Sequence, residues 1–235
     1  MTATTPPHGG DVYQMARSLG LNLSDILDFS ANINPLGPPP DLPAVVQAAL
    51  PDLVHYPDRH CVDLRQDLAA YHGLPPDCIL AGNGSTELIF LAARALGAKK
   101  ALIVAPAFSE YQLALEAAGA PISFHFTREE ADFTLEGPID PQGADLVFLA
   151  NPASPSGALL PIELLLPIVA DLDAAGVYTI LDEAFIDFVE EASLKGYLAR
   201  FPRLVILRSF TKFFAIPGLR LGCLLAAPEV VAHLA

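Results

Sequence analysis

Arg208-Ser-Phe-Thr-Lys212-Phe-Phe-Ala-Ile-Pro-Gly218-Leu-Arg220 lies between two apolar runs, 204–208 and 221–226, and reads as a strand-loop-strand connection. It brings an amine, the hydroxyls of Ser209 and Thr211, and the Arg220 guanidinium into one short segment. Arginine suits bidentate phosphate contact. A lysine that works as a nucleophile needs neighbours that hold it partly neutral. A solvated amine at a strand end is the competing reading, and the rest of the chain has to choose.

Outward from this stretch the chain alternates short apolar runs with amphipathic segments. Strands are expected at 101–104, 121–126, 145–150, 177–182, 204–208 and 221–226, and helices at 85–96, 108–118, 161–175 and 193–200. Nearly continuous apolar strands separated by helices imply an α/β fold with a mostly parallel sheet covered on both faces. Such sheets bind ligands beyond the carboxyl ends of their strands. Upstream, Leu42, Val45, Val46, Ala49 and Leu50 recur at helical spacing, as do Leu64, Leu68 and Tyr71. His55-Tyr56-Pro57-Asp58 links these two helices, and the proline holds Tyr56 extended with its ring projecting. Residues 1–40, rich in Pro, Gly and Asn, read as an arm laid over a 41–235 body, with a short helix at 11–19.

The 235 residues include 27 acidic against 13 basic side chains, a net charge of −14. That balance argues against a nucleic-acid or anionic-membrane surface, which needs clustered Lys and Arg. No apolar run reaches the ~20 residues of a membrane helix. The N-terminus shows no basic residue followed by an apolar stretch, so no signal peptide is expected. Cys61, Cys78 and Cys223 are widely spaced and odd in number, which makes a reducing, cytoplasmic setting the expectation.

Four further stretches end strands or start helices. In Ala81-Gly82-Asn83-Gly84-Ser85-Thr86-Glu87, two glycines let the backbone approach a ligand. Ser85 and Thr86 then place free N–H groups at a helix start, an anion site; an ordinary N-cap accounts for the serine alone. Phe108, in Ala105-Pro-Ala-Phe108-Ser-Glu-Tyr111, is placed either to stack on a planar ligand or to join the core. Asn151-Pro152-Ala-Ser154-Pro155-Ser156-Gly157 forms a rigid loop, with its polar side chains aimed off a strand end or used in the turn itself. Asp182 closes the buried run 177–182 and is costly there unless a cation faces it. Glu183 has no histidine or further acid cluster beside it in sequence, so no metal is expected.

Together these pieces suit one ligand with a phosphate, a flat ring, a ring nitrogen that wants a carboxylate and an aldehyde that wants an amine: pyridoxal 5′-phosphate. In their order the motifs Gly82-Asn-Gly-Ser-Thr-Glu87, Pro106-Ala-Phe108, Asn151-Pro-x-Ser-Pro-Ser-Gly157, Asp182-Glu-Ala-Phe185 and Ser209-Phe-Thr-Lys212 through Arg220 resemble the class I/II, fold-type I aminotransferase family. His8-Gly-Gly, Asp28-Phe-Ser-Ala-Asn-Ile-Asn-Pro-Leu-Gly37 and Leu181-Asp-Glu-Ala-Phe-Ile-Asp-Phe188 are similar to its L-threonine O-3-phosphate decarboxylase branch, a relative of the histidinol-phosphate aminotransferases.

The resemblance implies a pyridoxal-phosphate large domain with a seven-stranded-type sheet. It implies Lys212 as the Schiff-base lysine, Asp182 on the pyridinium nitrogen and Phe108 on the ring. It also implies a phosphate held by Gly84, Ser85, Thr86, Ser209, Thr211 and Arg220. Tyr56 would reach the phosphate of a neighbouring subunit, which makes a homodimer. Asn151 and Ser154 are candidate cofactor contacts, and His8 and Asn32 are candidate contacts for a phosphorylated amino-acid substrate. Ser154 and Phe185 stand where the family carries an asparagine and a tyrosine that touch the phenolic oxygen. The family's C-terminal small domain is expected to be absent, with Ala235 following directly on the 221–226 strand, which leaves a cofactor-binding but catalytically incompetent fragment as a further reading.

Overall fold

The computed structural model describes residues 9–235. Seven strands form one sheet: β1 (Ile79–Asn83), β2 (Ala101–Ala105), β3 (Ile122–Phe126), β4 (Leu146–Ala150), β5 (Tyr178–Asp182), β6 (Leu204–Ser209) and β7 (Leu221–Ala226), in the order β1-β7-β6-β5-β4-β2-β3. Every pairing from β6 to β3 is parallel, whereas β7 runs antiparallel to both β6 and β1. The expected α/β architecture is therefore present.

The strands are apolar throughout because both faces are covered. On one face Leu149, Leu181, Ile206 and Cys223 pack against α3 (Val62–His72) and α6 (Ile162–Ala174), through Leu68, Leu165, Val169 and Leu172. On the other, Phe148, Ile180, Leu207 and Leu224 meet α4 (Ser85–Ala95), α5 (Ser109–Ala118) and α7 (Pro228–Leu234). The arm supplies α1 (Val12–Leu19), and α2 (Leu42–Ala49) has no buried residue. Among the described residues no helix is long and apolar enough to cross a membrane.

Three expectations need correction. Strand β1 was not foreseen, because Ala81-Gly82-Asn83 lacks the β-branched and aromatic side chains that mark a strand; its pairing with β7 supplies the order instead. Residues 193–200 do not form an α-helix but a single tight turn at Lys195–Tyr197, with Leu194 and Leu198 buried on either side. The chain also continues past β7 into α7, whose Val230, Val231 and Leu234 are buried.

Candidate active site

A cleft of about 430 Å³ opens where the carboxyl ends of β4, β5 and β6 meet the start of α4 and the arm. At one end is a cradle for an anion. Strand β1 turns at Gly84, whose φ of +81° takes the left-handed side that glycine tolerates, and α4 starts at once with no side-chain cap on its first N–H groups. Ser85 and Thr86 line the cleft there, together with Ser209, Thr211 and Arg220. The hydroxyls of Ser209 and Thr211 are buried and lie 2.8 Å apart. Two glycines make room for this. A Cβ on Gly84 would stand 2.6 Å from Arg220 Nη2, and one on Gly222 would stand 2.7 Å from the Ser85 backbone nitrogen.

Lys212 lines the same cleft, half-buried. Burial lowers its pKa, the nearby Arg220 lowers it further, and Asp28 opposes both. Both main causes favour the neutral, nucleophilic amine. Asp182 faces the cleft from the end of β5 and is only 6% exposed. Its Oδ2 accepts from Tyr111 Oη at 2.5 Å, and its Oδ1 accepts from the Ala184 backbone N–H at 2.9 Å. Burial raises the carboxyl's pKa, and these two donors pull it back. The buried carboxylate thus has two hydrogen-bond donors of its own and faces the cleft.

Most of the sequence-predicted residues converge here. Phe108, Ser154 and Asn32 line the cleft with Lys212 and Asp182, and Phe185 joins them. Asn151 does not. Its side chain is buried, with Nδ2 donating to the Leu160 carbonyl at 3.1 Å and Oδ1 accepting from the Leu160 N–H at 2.8 Å. Both ends of the amide are spent holding the 151–160 loop, so Asn151 is a loop residue and not a cleft residue. Tyr56 is fully exposed and lies outside this chain's own cleft. His8 lies outside the described residues.

Two site residues escaped the sequence reading. Tyr111 sits three positions after Phe108, one helical turn on, so the two rings meet edge to face at 5.8 Å. Phe148 stacks on the other side of Tyr111 at 4.8 Å. Gly222 pairs with Ser209 across the β6–β7 ladder, which places it under the cradle. An aromatic one turn from a candidate stacking residue, and a glycine inside an apolar strand, were the available signals.

Behind the site, on the opposite face of the sheet, lies a buried ion cluster. Arg208 is fully buried and donates to Asp187 at 2.9 Å and to Glu190 at 2.6 Å, with Glu183 at 3.4 Å. Glu183 also accepts from Ser193 Oγ at 2.7 Å and from the Leu194 N–H at 2.8 Å. Strand alternation explains the division: Asp182 and Ser209 face the cleft, and their chain neighbours Glu183 and Arg208 face away.

Residues 24–235 match the family described as aminotransferase class I and II. Threonine-phosphate decarboxylase of Salmonella typhimurium is 43% identical over 228 residues, an alignment covering 94% of this chain and 62% of that protein. Histidinol-phosphate aminotransferase of Stutzerimonas stutzeri is 35% identical over 228 residues, with the same coverages of 94% and 62%. The crystal structure of L-threonine-O-3-phosphate decarboxylase from Porphyromonas gingivalis superposes with a TM-score of 0.79 at 27% identity, covering 89% of this chain and 62% of that one. The chain thus spans about three fifths of the length of the relatives it matches.

Proposed function

The chain belongs to the aminotransferase class I and II family, whose members depend on pyridoxal phosphate, and from that membership we propose that it forms the cofactor-binding part of a decarboxylase. The reaction is conversion of L-threonine O-3-phosphate to (R)-1-amino-2-propanol O-2-phosphate, a step of cobalamin synthesis. The choice of a decarboxylase draws on the 43% identical threonine-phosphate decarboxylase, and one observation carries the cofactor part of the reading. A half-buried lysine and a buried carboxylate line one cleft whose end is an uncapped helix start flanked by two hydroxyls and an arginine.

The residues present fit the cofactor. A Cβ would fill the space at Gly84 and Gly222, as expected where a backbone must approach a phosphate. Lys212 would hold the cofactor at its aldehyde. Ser85 and Thr86 through backbone N–H, Ser209 and Thr211 through hydroxyls, and Arg220 through its guanidinium would hold the phosphate. Asp182 stays ionised when a cationic ring nitrogen faces it, which offsets its burial. Phe108 would pack against the ring. When bound, the cofactor supplies an electron sink for the pair released at the substrate's α-carbon. The protein decides which bond breaks by how it grips the substrate's carboxylate and phosphate; Asn32 and His8 are the arm's contributions to that grip. Lys212, an amine held partly neutral in the cleft, would be the group placed to hold or return a proton at the substrate's α-carbon.

Residues 1–40 serve as the arm and 41–235 as the cofactor-binding domain. Tyr56 and the apolar Leu53 and Val54 beside it, 78% and 82% exposed, suit a second subunit that covers them and receives the tyrosine at its own cradle. Three free cysteines suit a reducing, cytoplasmic setting.

The second reading, an aminotransferase acting on histidinol phosphate, draws on the 35% identical relative and would use the same cofactor residues. Product analysis decides. Carbon dioxide released from threonine phosphate without 2-oxoglutarate supports the decarboxylase, and glutamate formed from 2-oxoglutarate and histidinol phosphate supports the transaminase. A visible absorbance band that is absent in Lys212→Ala tests the cofactor assignment itself.

A further inference from the structure

Asn34 grips the segment that carries Lys212 at two successive carbonyls. Its backbone N–H donates to the Lys212 carbonyl at 3.0 Å, and its side-chain Nδ2 donates to the Phe213 carbonyl at 2.8 Å. The rest of Asn34 is held from its own side. Oδ1 accepts from the Leu36 N–H at 3.0 Å, and the carbonyl accepts from the Gly37 N–H at 3.2 Å. Pro35 restricts Asn34 to extended backbone, and Gly37, with φ +79°, closes the turn. The amide is therefore fixed in orientation before it meets the lysine loop.

That loop needs holding. Ala215, whose N–H also donates to the Lys212 carbonyl at 3.3 Å, has φ +52°, a left-handed conformation that an alanine rarely adopts. Such a conformation persists where its surroundings over-determine it. On the other side of Asn34, the Ile33 N–H donates to the Ala31 carbonyl at 2.9 Å, a tight turn next to two cleft-lining residues, Ala31 and Asn32. One residue is thus tied both to the cleft wall supplied by the arm and to the main chain of Lys212.

We propose that Asn34 is a positioning residue that fixes the backbone of Lys212 and couples the arm's cleft wall to the reactive amine. The inference rests on Lys212 being the cofactor lysine. Its test is Asn34→Asp in the full chain, with Asn34→Ala as a second variant. The aspartate keeps the acceptor for Leu36 and the backbone bond to Lys212, but sets a carboxylate oxygen against the Phe213 carbonyl. Three readouts are compared with wild type: the pH midpoint of the cofactor's visible band, the acylation rate of Lys212 in cofactor-free protein mapped by mass spectrometry, and hydrogen exchange across 211–219.

The expected result is a displaced band midpoint, a Lys212 acylation rate changed by roughly tenfold, and faster exchange across 211–219. A lowered melting temperature with band midpoint, acylation and exchange all unchanged would overturn it, leaving Asn34 a structural residue only. Should wild type give no Lys212-dependent band, the cofactor reading fails. Acylation and exchange then still decide whether Asn34 positions the lysine.

Discussion

Tyr111 Oη donates a 2.5 Å hydrogen bond to Asp182 Oδ2, joining the first turn of α5 to the carboxyl end of β5. Tyr111 is itself buried and sandwiched between Phe108 and Phe148, so the hydroxyl has little freedom to leave. Removing it in Tyr111→Phe takes away one of two donors and lets burial raise the Asp182 carboxyl further. A hydrogen bond to a charged group is worth about 1.5–3 kcal/mol, so the cofactor affinity of Tyr111→Phe should fall about tenfold or more. Fluorescence titration with pyridoxal phosphate checks this. In the cofactor-free chain the sign is also set: with the folded pKa raised, the fold retains a proton that the unfolded chain loses, so stability falls as pH rises above the carboxyl's ordinary value of 3.8. Tyr111→Phe should steepen that fall.

Gly222→Ala probes the cradle. The added methyl would meet the Ser85 nitrogen at 2.7 Å, the Gly84 carbonyl carbon at 2.8 Å and the Arg208 oxygen at 3.0 Å, all of them backbone atoms. Overpacking of this kind costs about 1–3 kcal/mol, and here it pushes the α4 start away from β7. Phosphate and pyridoxal-phosphate affinities should drop together, whereas pyridoxal, which lacks the phosphate, should bind as in wild type. Equal losses for all three ligands would contradict a cradle role.

Breaking the ion cluster behind the site is predicted to be costly because it strands buried charge, not because the pairs add net stability. Arg208→Met leaves Glu183, Asp187 and Glu190 facing one another without their shared cation, and breaking a buried pair this way costs about 3–5 kcal/mol. Urea unfolding measures it. A loss under about 1 kcal/mol would mean that the carboxylates find water or protons instead.

Within that cluster, burial raises the Glu183 carboxyl to about 7, with Ser193, Leu194 and Arg208 acting in the opposite direction and Glu190 adding to the rise. Between the ordinary value of 4.5 and about 7 the folded chain holds a proton that the unfolded chain has released, so stability declines as pH climbs through that window. Glu183→Gln should remove this part of the decline. Parallel stability curves for variant and wild type across the window would refute it.

Phe185 and Ser154 face the cleft without the longer donors that the family resemblance led one to expect, and Asn151 is committed to Leu160. Adding a hydroxyl in Phe185→Tyr supplies a donor to the cofactor's charged oxygen, which favours the charged form. The pH midpoint of the visible band should therefore shift downward relative to wild type. An unchanged or higher midpoint in a pH titration would count against this account of the wall.

How much of this was readable from the chain depends on what each residue's role required. Asp182 closes an apolar strand, Ser85 opens an amphipathic helix and Lys212 follows the end of a strand by three residues, and such element ends fix where a side chain can go. Gly84 was recognisable because only a glycine turn explains its spacing from Gly82. Asn151 shows the limit: its amide suits either a ligand or a turn, and only the position of Leu160 decides. The misread segment at 193–200 has leucines four apart, Leu194 and Leu198, that mimic a helix, yet Leu194 donates to Glu183 across ten intervening positions. Long-range bonds such as that one, Tyr111 to Asp182 and Asn34 to Phe213 leave no periodic trace.

Strand β7 enters the sheet between β6 and β1, the first strand and the two last ones lying side by side. The anion cradle is built from exactly this junction, with the start of α4 from the early chain and Ser209, Thr211, Arg220 and Gly222 from the late chain. The two halves lie at opposite ends of the sheet's order of synthesis. Under the proposed assignment, a nascent chain that ends before β6 has the glycine turn, the stacking ring and Asp182, but still lacks Ser209, Thr211, Lys212 and Arg220.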